Sequence, residues 1–289
     1  MPHTDSVEHG IPVVLLAADG ERLAARHFAH DRPRAAVLLC SATGVRQRFY
    51  RPFATWLTEQ GYAVLTFDYR GIGESLGGLH VRAIKADKQD WGQQDMPAAL
   101  DWLAAAYPGI HLHLIGHSAG GQLIGLMPGH ARLRSVVQVS ASSGYVGNIK
   151  WPTRVAARVL LSAFIPLTVA ALGYAPAKRI GWGEDLPAGV ATQWARWCSS
   201  PGYVANGFGR EIERHFYDEF SLPILSLSAA DDPIATPANV DDLLRLFPKA
   251  TIQKQVLQAS HFGVPHIGHI DFFRTQMMPV WESVLPGLH

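Results

Sequence analysis

Cysteine is nearly absent from this chain: Cys40 and Cys198 are the only two in 289 residues. Two thiols without a CxxC spacing make neither a disulfide framework nor a cysteine zinc site, and a reducing, cytoplasmic compartment is the expectation. Charge of one sign is also missing. Lys and Arg number 25 against 24 Asp and Glu, a formal net charge of +1, and no basic run stands out. That excludes the electrostatic footprint by which proteins hold nucleic acid, so no nucleic-acid partner is expected. No repeat and no low-complexity segment occurs. The opening "MPHTDSVEHG" lacks a basic segment followed by an apolar stretch, so no leader peptide is expected.

One long hydrophobic run is present, "VLLSAFIPLTVAALGYAPA", residues 159–177. Pro166 interrupts it, Arg158 precedes it, and Lys178 and Arg179 follow. The expectation is helices that are buried or face a cleft, with no obligate membrane span; peripheral contact with a membrane surface is the alternative. A run this apolar is too rich for a solvent-facing lid. One face of Leu160, Leu161, Phe164, Ile165, Leu167, Val169 and Leu172 should therefore meet the core and another line the cleft.

Elsewhere the pattern alternates. "IPVVLLAA" and "ERLAARHFA" flank Asp19-Gly20, a two-residue turn signal, and read as a hairpin. "AAVLLC" and "YAVLTFD" read as buried strands, the first covered on both faces, and "HLHLI" and "RSVVQVS" as further strands. Between them "RFYRPFATWLTEQ" and "DMPAALDWLAAAYPG" carry helical spacing, the second with Asp95 as its cap, and "GQLIGLM" reads as a further helix. From about 145 to 218 no strand is evident. The alternation resumes with "PILSLSA", a helix near "PANVDDLLRLF", the strand "TIQKQVL" and a last helix in "IDFFRTQMMPVWESVL". Strands alternating with helices imply a mainly parallel sheet covered on both faces. The interruption reads as a helical cap, residues 145–218, inserted between core segments 1–144 and 219–289.

"HLHLIGHSAGGQLIG" then carries the chemistry. Gly-x-Ser-x-Gly falls where a strand turns into a helix, the context in which the motif means a nucleophile elbow. Ser118 is the candidate nucleophile, and the N–H of Ala119 is placed to meet an oxyanion. A serine needs a base and the base an orienting carboxylate. "LSLSAADDPIATP" offers Asp231 and Asp232 just past a strand; Pro233 biases Asp232 toward extended backbone, which favours it as the acid. "ASHFGVPHIGHIDFF" offers His261, His266 and His269. His269, on the loop after Gly268, is the preferred base. A metal site in this loop is set aside, because no carboxylate or cysteine stands at ligand spacing. His111, His113 and His117 read as structural.

"GYAVLTFDYRGIGESLG" resembles the D-x-R-G-x-G-x-S segment of the α/β-hydrolase superfamily, here Asp68, Arg70, Gly71, Gly73 and Ser75. With "GHSAGG", "DDP" and "IGH" the resemblance runs along nearly the whole chain. "SATGVRQRFYRPFATWL", "GEDLPAGVATQWARWC" and "GHIDFF" resemble a group of bacterial predicted α/β hydrolases related to serine aminopeptidase and monoglyceride lipase-like enzymes. The resemblance implies the α/β-hydrolase fold: a mainly parallel eight-stranded sheet, helices on both faces, an inserted helical cap, and the triad Ser118, Asp232 and His269. Many superfamily members carry His-Gly after the third strand, where this chain has "CSATGV". The second oxyanion donor is accordingly expected at the backbone N–H of Ala42, with Thr43 as the alternative. The Asp68–Ser75 segment should shape its loop, with Arg70 in a structural pair.

These readings converge on a cofactor-free serine hydrolase that cleaves a small-molecule carboxylic ester through an acyl-enzyme. Trp151, Trp182, Trp194 and Trp197 suit an acyl or aromatic group, or equally the cap's own core. The alternatives are amide or aminopeptidase-like hydrolysis or acyl transfer on the same triad, and then a non-catalytic ligand-binding member of the fold. The sequence leaves the oligomeric state open.

Overall fold

The structure, a computed structural model, describes residues 10–289. The leader expectation rests on the first ten residues and so falls almost wholly outside the described ones, as does the start of the first core segment. Eight strands form one sheet: β1 (Ile11–Leu16), β2 (Arg22–Phe28), β3 (Ala35–Cys40), β4 (Tyr62–Phe67), β5 (Leu112–His117), β6 (Leu133–Val139), β9 (Ile224–Ala229) and β10 (Ile252–Leu257), with the short β7 (Tyr174–Ala175) and β8 (Leu186–Pro187) lying outside it. Their order across the sheet is β1-β2-β4-β3-β5-β6-β9-β10. β2 runs antiparallel to β1 and β4. From β4 to β10 every neighbouring pair is parallel. This is the α/β-hydrolase fold.

The central strands are apolar throughout because both faces are covered. β3 divides its residues cleanly: Ala36, Leu38 and Cys40 join one buried cluster, and Ala35, Val37 and Leu39 the other. Successive side chains of a strand point to opposite faces, so the clusters are the two cores. One is packed by the helix Met96–Ala106, the other by Arg51–Glu59 and the C-terminal turns around Trp281. The Asp68–Ser75 loop is a scaffold, as its glycines suggest. Arg70 binds Asp95 (2.7 Å) and Asp19 (2.5 Å), while the Asp68 carboxylate accepts from the backbone N–H of Gln47 and Glu74.

Several local expectations are corrected. Asp95 does not cap Met96–Ala106; it sits inside a preceding π turn, Trp91–Asp95, with its carboxylate turned to Arg70. The helix after Ser118 is only Ala119–Gln122, followed by a 3-10 turn at Ile124–Leu126. Glycines 120, 121 and 125 weaken it, and the Tyr217 ring packs into the space a side chain at Gly125 would fill. The last helix breaks into short turns, with Arg274 extended between the first two and Pro279 opening Met278–Trp281.

Between β6 and β9 the chain leaves the sheet. Here Thr153–Val159, a π turn at Leu160–Phe164 and Ile165–Leu172 make one long helix, followed by Ala188–Trp197. A two-residue ladder the sequence did not suggest, β7 (Tyr174–Ala175) with β8 (Leu186–Pro187), joins them. The long helix also departs from expectation. Leu160, Leu161 and Ile165 are buried, but Leu167 is 69% and Leu172 41% exposed. Only one side of this helix is covered.

Candidate active site

β5 delivers Ser118 to the carboxyl edge of the sheet, where its backbone turns to φ 46°, ψ −106°. That conformation is costly for any residue with a Cβ and persists only where the surroundings impose it. The flanking glycines show how. A Cβ on Gly116 would collide with the backbone of Gly120 and Gly121, and one on Gly120 with the backbone of Cys40 at the end of β3. The elbow closes this tightly because three stretches of main chain meet with no side chains between them. It leaves the Ala119 N–H at the first turn of Ala119–Gln122, with no hydrogen-bond partner among the described residues.

Ser118, His269 and Asp232 come together in a line. His269 Nε2 lies 3.2 Å from Ser118 Oγ, and its Nδ1 lies 2.8 Å from Asp232 Oδ2. Asp232 is wholly buried; its other oxygen accepts from the backbone N–H groups of Ile234 and Ala235, at 2.7 and 2.8 Å. Burial pushes the Asp232 carboxyl up, but the neighbouring His269 and those two N–H groups outweigh it and hold the pKa below the usual value. Asp231 turns the other way, accepting from the N–H of Ile267 and Gly268 at 2.9 and 3.0 Å. It ties down the loop that carries His269. His266 is exposed and bonds Asp271, and His261 is exposed on its own turn.

Behind the line stands a second set of groups. His117 Nε2 is 2.8 Å from the carbonyl oxygen of His269, which can only accept, so Nε2 carries the proton. His117 Nδ1 then accepts from the Tyr50 hydroxyl at 2.8 Å, and the Tyr50 oxygen accepts the Ala42 N–H, also at 2.8 Å. Burial, with His269 nearby, lowers the pKa of His117 to about 3, so the ring stays neutral and keeps this order of donors. The expectation for Ala42 is corrected here: its N–H is taken by Tyr50. The next N–H, on Thr43, has no partner among the described residues, and Thr43 faces the cavity.

Thr43 is itself held. Its Oγ1 accepts from Nζ of Lys88 at 2.7 Å. Lys88 is fully buried, with no carboxylate partner among the described residues; its ammonium lies 4.3 Å from the centre of the Trp91 ring. Burial pulls its pKa down to about 7. Lys88 and Tyr50 carried no motif; they are found only once β3, β5 and the segment before Met96 are side by side.

Ser118 and His269 open into a cavity of about 740 Å³, a volume in the range of small-molecule sites. Ile149, Ala157, Leu161, Trp182 and Trp194 give it apolar lining from the insertion, and Arg46, Arg48, Arg51 and Arg274 line it as well. Arg46 is paired with Glu184 at 2.5 Å. Of the four tryptophans, Trp182 and Trp194 line the cavity, Trp197 is core and Trp151 is exposed.

Comparison with known proteins agrees with this architecture. The family model described as "Serine aminopeptidase, S33" matches residues 31–194, more than half of the chain. A protein of Variovorax paradoxus named "Putative carbamate hydrolase RutD" is 38% identical over 111 residues, 37% of this chain and 38% of that protein. The namesake from Caulobacter vibrioides is 36% identical over 88 residues, 30% of this chain and 29% of its own. The chain thus spans about two fifths or less of the length of the curated relatives it matches. Among solved structures, an esterase of Pyrococcus furiosus superposes with TM-score 0.62 at 16% identity, covering all of this chain and 93% of its own. A carboxyl esterase of Bacillus coagulans gives 0.60 at 14%, covering 96% and 99%. Identities this low speak to the fold.

Proposed function

The chain belongs to the serine aminopeptidase S33 family of α/β hydrolases, and on that premise we propose that it hydrolyses carboxylic esters with a hydrophobic acyl or aromatic group. Ser118 Oγ attacks the carbonyl carbon while His269 Nε2 takes its proton. Asp232 holds the ring and stabilises the imidazolium that results. The N–H groups of Ala119 and Thr43 receive the oxyanion. Collapse of the tetrahedral adduct expels the alcohol, protonated by His269, and leaves the acyl group on Ser118. Water, activated by the same histidine, then releases the acid. The observation that carries the reading is the hydrogen-bonded line Ser118–His269–Asp232 at a cavity with apolar lining from the insertion between β6 and β9.

A second reading draws on the matched relatives named as carbamate hydrolases: a carbamate carbonyl is open to the same attack. One experiment separates them. The protein is labelled with a fluorophosphonate and assayed on p-nitrophenyl esters of rising acyl length beside an aryl carbamate and an amino-acid amide. Each methylene buried in the cavity is worth up to about 0.8 kcal/mol, roughly fourfold in efficiency. Efficiency is expected to climb from acetyl to medium-chain esters, and Ser118→Ala to lose both labelling and turnover. A preference for the carbamate or the amide would replace the ester reading, and full labelling of Ser118→Ala would remove Ser118 as nucleophile.

A further inference from the structure

Among the described residues one helix, Thr153–Leu172, is long and apolar enough to cross a membrane, yet little of it is buried. Its two sides have different surroundings. Thr153, Ala157 and Leu161 line the cavity, and Leu160, Leu161 and Ile165 pack on the core, so the helix is anchored to the rest of the protein. The opposite side carries Val155 and Val159, each more than half exposed, with Leu167 beyond them and Trp151 just before the helix at 74% exposure. Scattered exposed apolar residues need no explanation, but a strip along one helix does.

The helix and the chain leading up to it carry charge of one sign only. No Asp or Glu occurs anywhere from Trp102 to Gly183. Lys150, Arg154 and Arg158 lie at one end of the helix, and Lys178 and Arg179, with exposed Ile180, beyond the other. Lys178 touches Glu184 at 3.5 Å; the other four have no carboxylate partner among the described residues. The chain as a whole is nearly neutral, so this concentration belongs to the strip and not to the composition.

We propose that the outward side of Thr153–Leu172 seats the protein on an anionic phospholipid surface, its apolar residues among the acyl chains and its flanking lysine and arginines on the headgroups. An apolar strip with basic ends is the pattern that binds in this way. A second copy of the chain fits poorly. A two-fold pairing of this face sets basic ends against basic ends, and the acids at one end are already engaged, Glu184 with Arg46 and Lys178 and Asp185 with the Lys178 N–H. A true span fits poorly too, because the same helix would have to leave the core and the cavity wall. Seated so, the helix meets lipid on one side while its other side lines the cavity. The inference does not rest on the ester reading, since binding is scored without turnover.

The test is sedimentation of the full chain with vesicles of phosphatidylglycerol and phosphatidylcholine, against phosphatidylcholine alone. Wild type is expected to bind the anionic vesicles, to bind neutral ones far less, and to be released by salt. Each basic residue near such a surface is worth about fivefold in partitioning. Removing Arg154 and Arg158 by Arg154→Gln/Arg158→Gln should therefore cost about 25-fold. Val155→Ser/Val159→Ser/Leu167→Ser should abolish binding, while circular dichroism stays at its wild-type values. No binding by wild type, equal binding to neutral vesicles, or binding untouched by both variants would overturn the proposal. So would a wild-type dimer in sedimentation velocity that becomes monomeric in the serine variant, which would give the face to a second copy.

Discussion

His117 and His269 lie 152 residues apart and are joined by one hydrogen bond, from the Nε2–H of the first to the main-chain carbonyl of the second. The bond fixes the backbone of His269 and leaves both its ring nitrogens free for Ser118 and Asp232. His117→Phe fills the site but cannot donate, leaving the His269 carbonyl unpaired. Turnover is expected to fall on the order of tenfold to a hundredfold with KM little changed, since a small misplacement of a catalytic group is costly. Because the pKa of His117 is near 3, the wild-type profile should show no ionisation of His117 between pH 5 and 9. Steady-state kinetics on one ester across that range checks both points.

The adjacent aspartates should separate sharply. Asp232→Asn leaves the ring of His269 without its acceptor and favours the wrong tautomer, a change that costs about 10⁴-fold in a serine protease. Asp231→Asn keeps one amide oxygen for the N–H groups of Ile267 and Gly268, and is expected to cost tenfold or less. Measuring kcat for the two variants side by side decides this. The reverse ranking would move the acid to Asp231.

Lys88 makes a prediction about pH and stability. Unfolded, the lysine holds its proton up to about pH 10.5; folded, burial makes it release the proton near 7. Between these values the unfolded chain binds more protons, so stability rises with pH across the window. The gain is complete above about 10.5 and lost as pH falls through 7. Urea midpoints should therefore climb from pH 7 toward 10 in wild type, and Lys88→Met should flatten that slope. The same variant frees the Thr43 side chain, so kcat is expected to fall about tenfold, short of the 10²–10³ lost when an oxyanion donor is itself removed.

Gly120→Ala tests the elbow independently of chemistry. Its new Cβ meets the Cys40 main chain, which cannot retreat without moving β3. Destabilisation of about 2–3 kcal/mol or more is expected, in the range for overpacking a tight core. Thermal melts of the variant against wild type measure it, and a loss under 1 kcal/mol would mean that the strands give way there.

Legibility in the sequence followed locality. The strands were readable because being covered on both faces writes a continuous apolar run. Ser118 and Asp232 could be singled out because each stands at a strand-end turn marked by glycine or proline, and His269 because it follows Gly268 on the loop beyond β10. What failed depends on neighbours far along the chain. The N–H of Ala42 is spent on a tyrosine eight residues on, and its replacement by Thr43 follows only from that bond. Asp95 looked like a cap because nothing local points to Arg70 across 25 residues. The broken C-terminal helix was masked by residues whose helical spacing serves several short turns equally well. The outward side of the long helix was misjudged because composition reports how apolar a helix is and not how many of its sides find partners.

The π turn at Leu160–Phe164 bears on that same helix in another way. Hydrogen bonds from i to i+5 take up one residue more per turn than the α pattern on either side. Each residue of an α-helix advances the azimuth by about 100°. Were the same five residues to close to regular α geometry, Ile165–Leu172 would rotate by about that angle against Thr153–Val159. Ile165 would leave the core, and the outward strip would no longer run straight from Val155 to Leu167. The number of residues in this one turn, more than their chemistry, sets the phase between the half of the helix that lines the cavity and the half that follows it.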